Sequence, residues 1–222
     1  MYTAALFDLD GTLIDTEPRS HEAWSRLFRN HGVPYDEATI MGFAGRPARE
    51  ALLDHVDRFP GHTVEELFAE ALGYTALPDM PPVRPVPGAL ELLNRLRASG
   101  VPLGLVTSGT RDYARHELGA IGALDLFDTS VTSDDVTRGK PDPQGCLACC
   151  AALGVDPSTV VVFEDAPAGV AAAKRAGADC VAITSTQSAT ALAAADLIVP
   201  DLTDMTWPPP TPAVVAAMRS EV

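Results

Sequence analysis

The sequence predicts an α/β chain, a parallel sheet covered by helices, with an all-helical insertion after the first strand. Three observations carry this. Short β-rich apolar runs alternate with helical stretches through most of the 222 residues. The alternation fails between about residues 16 and 80, where only helical patterns occur. Residues that bear chemistry recur at the ends of the apolar runs, on the edge where parallel sheets bind ligands.

The predicted strands are "TAALFDL" 3–9, "VPLGLVT" 101–107, "STVVVFED" 158–165, "DCVAIT" 179–184 and "DLIV" 196–199, with a weaker one around "FDTSVTS" 127–133. Helices are predicted over 88–99, 111–121, 143–153 and 168–177. Right-handed crossovers place every strand C-terminus along one edge. In the insertion, "SHEAWSRLFRNHG" 20–32, "RPAREALLDHV" 46–56 and "TVEELFAEAL" 63–72 are helical in pattern. The expected division is a core of residues 1–15 and 86–222 and an insertion of residues 16–85. Its linkers are a short one near Thr16 and the stiff "PDMPPVRPVPG" 78–88, a pair that suggests a hinge. The tail "TWPPPTP" 206–212 is expected to lie outside the core, with the apolar "AVVAAM" after it free to dock.

Composition narrows the function classes. A formal net charge of −14 argues against a nucleic-acid partner, because phosphate-backbone binders cluster Lys and Arg. No apolar run reaches the roughly 18 residues of a membrane span, so a cytoplasmic protein without a membrane partner is expected. With no assembly element visible, a monomer is expected. The cluster "CLACC" 146–150 lacks a second set of metal ligands and lies in an alanine-rich helical stretch, which reads as helix packing. Only Lys140 and Lys174 are lysines, so a lysine held between Gly139 and Pro141 draws notice.

Four strand-end features then carry the chemistry. "DLDGT" 8–12 sets Asp8 and Asp10 two residues apart at the end of a buried strand, where carboxylates need compensation, most simply from a divalent cation. One could attack phosphorus to form an acyl phosphate, and the other could shuttle the proton. "TSGT" 107–110 closes a strand and opens a helix, so the Thr107 hydroxyl and the N–H groups of Ser108 and Gly109 could cradle an anion, although such a string is also a plain N-cap. Lys140 could hold the nucleophile and the phosphoryl oxygens together. Glu164 and Asp165 end another buried strand and again ask for a cation; hard oxygen ligands suit Mg²⁺, and no His or Cys set suits zinc.

These four motifs in this order resemble the haloacid dehalogenase superfamily, from Tyr2 to about Thr203. The resemblance implies a Rossmann-like core with the insertion as a cap over the site. It implies Asp8 as nucleophile, Asp10 as acid and base, Thr107 as phosphate ligand, Lys140 as clamp and Asp165 as Mg²⁺ ligand, with the Asp10 carbonyl also on the metal and Glu164 supporting it. Asp10 disfavours a dehalogenase or a P-type ATPase, and the absence of lysine from residues 16–85 disfavours a phosphonoacetaldehyde hydrolase. A phosphomutase of the β-phosphoglucomutase type keeps both aspartates, but such enzymes carry a histidine where Ser20 stands and use a cap lysine missing here. His21 is one position off, about 100° round a helix.

The runs "VTSGTRDYA" 106–114, "DDVTRGKPDP" 134–143 and "VVVFEDAPAGVAAAKRAG" 160–177 look like the glycerol-phosphate, 2-deoxyglucose-6-phosphate and bacterial sugar-phosphate phosphatases. A Mg²⁺-dependent phosphatase for a small phosphorylated sugar or polyol is the expectation. The alternatives are the mutase and a protein that binds a phosphate ligand without turnover. In the insertion, "GFAGRPARE" 42–50 offers Arg46 and, more weakly, Arg49 for a substrate headgroup, against the plainer role of solvating a helix start. Glu17 is a further candidate for a substrate hydroxyl. The histidines 31, 55, 62 and 116 read as structural or surface groups.

Overall fold

The computed structural model describes residues 2–43 and 48–210. Six strands form one parallel sheet in the order β5-β4-β1-β6-β7-β8: Ala4–Phe7 (β1), Leu103–Val106 (β4), Thr129–Val131 (β5), Val160–Glu164 (β6), Asp179–Ile183 (β7) and Leu197–Val199 (β8). All the adjacent pairs are parallel, and β1 lies between β4 and β6 with Phe7 opposite Leu105 and Phe163. Strands covered on both faces need continuous apolar side chains. Accordingly β1, β4 and β6 are buried throughout, and the Phe7 and Phe163 rings stack 4.5 Å apart.

The connecting helices are Ala89–Ala98 (α5), Arg111–Ala120 (α6), Gln144–Leu153 (α7) and Pro167–Ala176 (α8), within a residue or so of the predicted spans. All four cysteines are free and buried, three of them on α7, which fits the packing role expected of "CLACC". The predicted strands are trimmed by up to two residues at either end, and at the C-terminal ends the residues that leave the ladder, Asp8, Thr107 and Asp165 among them, enter the site loops.

The chain divides into two compact units, one holding the segment up to Asp15 and that from Arg84 onward, the other Thr16–Val83. Two features here escape the sequence pattern. Ile14–Asp15 (β2) pairs antiparallel with Arg84–Pro85 (β3), so Arg84 and Pro85 belong with the sheet unit and not with the insertion. A two-residue ribbon is too short to show an alternation. Glu37–Met41 (α2) is a single short helix, capped where the Asp36 carboxylate accepts the Thr39 N–H.

The second unit is otherwise built from Glu17–Asn30 (α1), Ala48–Leu53 (α3) and Val64–Thr75 (α4). Pro18 sits in the first turn of α1, where its missing N–H costs nothing, and Thr63 and Glu66 close a capping box at the start of α4. The apolar faces of these helices meet around Trp24, Phe28, Phe43, Phe59 and Leu67.

The C-terminal segment departs from expectation. Met205 and Pro209 are buried, Trp207 lies against Tyr2 with ring centroids 6.1 Å apart, and the Arg95 guanidinium donates to the Met205 carbonyl. Three prolines in a row suggest a linker, yet Pro209, the middle one, is buried. The run "AVVAAM" lies outside the described residues.

Candidate active site

The end of β1, the end of β6 and the loop before α7 bring four charged groups together. Asp8 leaves β1 with its N–H still bonded to the Phe163 carbonyl, which fixes it beside Glu164 and Asp165. The Lys140 ammonium donates to Asp8 Oδ1 at 2.5 Å and to Glu164 Oε1. The other Glu164 oxygen accepts the N–H groups of Asp165 and Ala166 at 3.1 and 3.2 Å, so this carboxylate is held on both sides. The Lys140–Pro141 peptide bond is cis.

Two glycines make the crowding sterically feasible. A Cβ on Gly11, which sits at φ +78°, would lie 2.1 Å from Asp165 Oδ2. A Cβ on Gly169, in the first turn of α8, would lie 1.8 Å from Glu164 Oε1. The glycines that follow "DLD" and "EDAPA" leave the volume the carboxylates fill.

The electrostatics are unbalanced. Asp8, Glu164 and Asp165 are all buried, their nearest oxygens lie within 4.8 Å of one another, and among the described residues Lys140 is the one cation bonded to them. Burial first, and the neighbouring Asp8 charge after it, holds the Asp165 carboxyl well above the ordinary carboxylate range. Burial also raises Glu164, against the pull of Lys140. Burial alone would lower the Lys140 ammonium, but Asp8 and Glu164 outweigh it and keep it protonated. Three converging hard oxygen donors with an excess of negative charge form a donor set suited to a divalent cation.

The remaining predicted residues divide. Thr107, buried at the end of β4, accepts the Gly109 N–H at 3.0 Å. The Gly109 N–H, expected to face an anion, bonds the Thr107 hydroxyl, and Ser108 is exposed beside it. Asp10 stands on the tight loop after β1, where Gly11 N–H bonds the Ile14 carbonyl. Its carboxyl is pushed up to about 6, by burial first and the Asp8 charge second, and accepts a hydrogen bond from Tyr113 at 2.5 Å. Glu17 opens α1 in the second unit. Arg49 donates to both oxygens of Glu65 at 2.8 and 3.0 Å and lies 3.9 Å over the Phe68 ring, which is the surface role offered for it as the plainer one. Arg46 lies outside the described residues.

Three hydroxyls were missed from the sequence. Tyr113 reaches Asp10, Thr186 donates to Asp165 Oδ2, and Ser185 donates to the Gly11 carbonyl. Thr186 and Ser185 follow β7 at the same sheet edge. Their position after a strand is the one signal that could have drawn attention to them.

Parallel α/β topology with its acids gathered at the strand C-termini defines the class of catalytic sheet-edge site, and the comparisons with known proteins give the family. The family model of the haloacid dehalogenase-like hydrolases matches residues 2–177. A validoxylamine A 7'-phosphate phosphatase from Streptomyces hygroscopicus subsp. limoneus is 59% identical over 208 residues, 94% of this chain and 98% of its own. Hexitol phosphatase A of Escherichia coli (strain K12) is 34% identical over 205 residues, 90% and 92% of the two chains. The structure of a haloacid dehalogenase-like family hydrolase from Streptococcus pneumoniae superposes with a TM-score of 0.76 over 98% of both chains at 23% identity, a likeness of fold. The chain belongs to the haloacid dehalogenase-like hydrolases, and it is an enzyme of their phosphatase class.

Proposed function

We propose that this protein is a Mg²⁺-dependent phosphatase that hydrolyses a small phosphorylated sugar or polyol through a phosphoaspartate on Asp8. The observation that carries the proposal is the buried constellation of Asp8, Lys140, Glu164 and Asp165, a carboxylate nucleophile clamped by one ammonium beside unneutralised acids. A carboxylate attacks phosphorus slowly when it faces a phosphate dianion, and the Lys140 ammonium offsets that repulsion. Mg²⁺, held by Asp8, Asp165 and the Asp10 carbonyl with Glu164 behind them, would supply further positive charge on the phosphoryl oxygens. Thr107 and Ser108 hydrogen-bond those oxygens.

In the first step an Asp8 oxygen bonds to phosphorus, the ester P–O bond breaks, and Asp10 gives its proton to the departing alcohol oxygen. In the second, water attacks the phosphoaspartate, Asp10 takes a proton from it, and the bond from phosphorus to Asp8 breaks to release phosphate. An Asp10 pKa near 6 suits a group that must be both acid and base near neutrality. The Thr16–Val83 unit, joined through the β2–β3 ribbon that begins four residues after Asp10, serves as the cap, and Arg46 and Glu17 read the headgroup from it.

The substrate class is supported by the relatives, one named for validoxylamine A 7'-phosphate and one for hexitol phosphates. The test is phosphate release from a panel of sugar, polyol, nucleotide and short-acid phosphates that includes validoxylamine A 7'-phosphate, with Mg²⁺ and with EDTA. Turnover clustered among the sugar and polyol esters is expected, abolished by EDTA and reduced on the order of 10⁴-fold or more in Asp8→Asn. No release, with isomerisation of hexose 1-phosphates in the presence of a bisphosphate, would establish a phosphomutase instead.

A further inference from the structure

Tyr113 lies six residues beyond Thr107, in the first turn of α6, and its hydroxyl donates to Asp10 Oδ1 at 2.5 Å across a separation of 103 residues. The helix is fixed at this end by Thr110, whose hydroxyl accepts the Tyr113 N–H at 3.3 Å. The ring is fixed by Gly109, where a Cβ would lie 2.7 Å from Tyr113 Cδ1. The phenol is therefore held at both its backbone and its ring, and it meets a carboxyl carried by the loop after β1, where Asp10 bridges to Ile14.

We propose that Tyr113 is a positioning residue for proton transfer to the leaving group: by donating to Oδ1 it fixes the Asp10 carboxyl and leaves Oδ2 as the atom that carries the proton. This rests on the phosphatase reading above. A carboxyl that rotates freely spends little time with its proton on the leaving oxygen, and positioned general-acid catalysis contributes about 10²–10⁴-fold. Loss of the tether therefore acts on the one bond-breaking event that needs a proton. Esters of ordinary alcohols need it, because an alkoxide is a poor leaving group. An aryl ester such as p-nitrophenyl phosphate does not, because its phenolate leaves unaided. When the ester bond breaks, the proton moves from Oδ2 to the alcohol oxygen, Asp10 is left as the carboxylate, and Tyr113 keeps its own proton throughout.

The experiment measures kcat/KM, which reports the steps up to leaving-group departure, for wild type, Tyr113→Phe and Asp10→Asn. The probes are validoxylamine A 7'-phosphate, sorbitol 6-phosphate and p-nitrophenyl phosphate. Tyr113→Phe is expected to lose about 10-fold on whichever alcohol esters the wild type hydrolyses and less than about 3-fold on the aryl ester, with Asp10→Asn showing the same selectivity more strongly. Because the alcohol-to-aryl ratio is taken within one preparation, it does not depend on the fraction of protein that folds. Equal losses on both ester types, or none, in Tyr113→Phe while Asp10→Asn stays selective would overturn the role of Tyr113 and leave the phosphatase standing. An Asp10→Asn variant without selectivity, or a wild type that cleaves no alcohol ester, would overturn the underlying reading and the proposal with it.

Discussion

The two compact units bury opposite things. The sheet unit places Asp8, Glu164, Asp165 and Lys140 inside, against the cost of desolvating them. The helical unit buries Trp24, Phe28, Phe43 and Phe59 and keeps its charges outside, in pairs such as Arg26 with Glu22 and Asp79, Arg29 with Glu22, and Arg49 with Glu65. The first arrangement trades stability for chemistry. The second is an ordinary apolar core, and any substrate preference it carries is written in a few surface residues. The two units should therefore differ in which removals change their stability: charged groups in the sheet unit, apolar ones in the helical unit.

The largest effect is expected at Lys140. Replacing it with methionine leaves Asp8 and Glu164 buried without their cation, so phosphate release should fall at least about 100-fold. Unfolding free energy in EDTA should fall by about 3–5 kcal/mol. Urea melts and initial rates on one preparation check both, and an unchanged melt would mean that the carboxylates are less buried than described. In the helical unit, Phe28→Ala removes a ring that lies edge-on to Phe59 at 5.0 Å and to Phe43 at 6.1 Å, and should lower stability by about 3–4 kcal/mol. Calorimetry should locate that loss in the Thr16–Val83 unit.

Removing Asp10 sharpens the contrast, because it is expected to stabilise. Burial, then the Asp8 charge, moves this carboxyl from 3.8 to about 6 on folding. A carboxyl raised in this way takes up a proton as the chain folds, so its contribution is best below about pH 4 and is lost as pH rises towards about 6. In EDTA, Asp10→Asn should flatten that fall and gain about 1–2 kcal/mol at neutral pH, the shift at about 1.4 kcal/mol per unit being reduced for the water that reaches this half-buried group. Denaturant melts at about pH 4 and about pH 7 measure the difference. The smallest effect belongs to Arg49→Ala, which breaks an exposed pair with Glu65 and should change stability by no more than about 0.5–1 kcal/mol. A tenfold change in kcat/KM there would instead mean that Arg49 serves the substrate.

The same contrast sets what could be read from the amino-acid sequence. Asp8, Glu164 and Asp165 were legible because a charge at the end of a buried apolar run has few harmless explanations, and Lys140 because it is one of two lysines and stands between Gly139 and Pro141. The strands were legible from composition, and their neighbours on the sheet from the crossover rule. The β2–β3 ribbon was not, since two residues carry no period. Tyr113 and Thr186 were not, because a hydroxyl in a helix turn or a loop acquires meaning only from what folds against it. Arg49 shows the converse, an apparent binding residue whose guanidinium is committed to Glu65 and Phe68. In the proline-rich segment proline marks stiffness, not exposure: Pro209 is buried and Pro208 exposed.

The scarcity of lysine has a practical side. Lys140 is enclosed by two carboxylates, with 13% of its side chain exposed, whereas Lys174 on α8 keeps 35% beside Asp179 and Asp196. Asp179 opens its strand, so Lys174 lies at the sheet edge opposite the one that carries Asp8. An activated ester would thus find one accessible ε-amine on the chain. Enzyme coupled through that ε-amine to a bead or sensor surface would be tethered by the back of the sheet, with the edge that carries Asp8 at the other end of the strands.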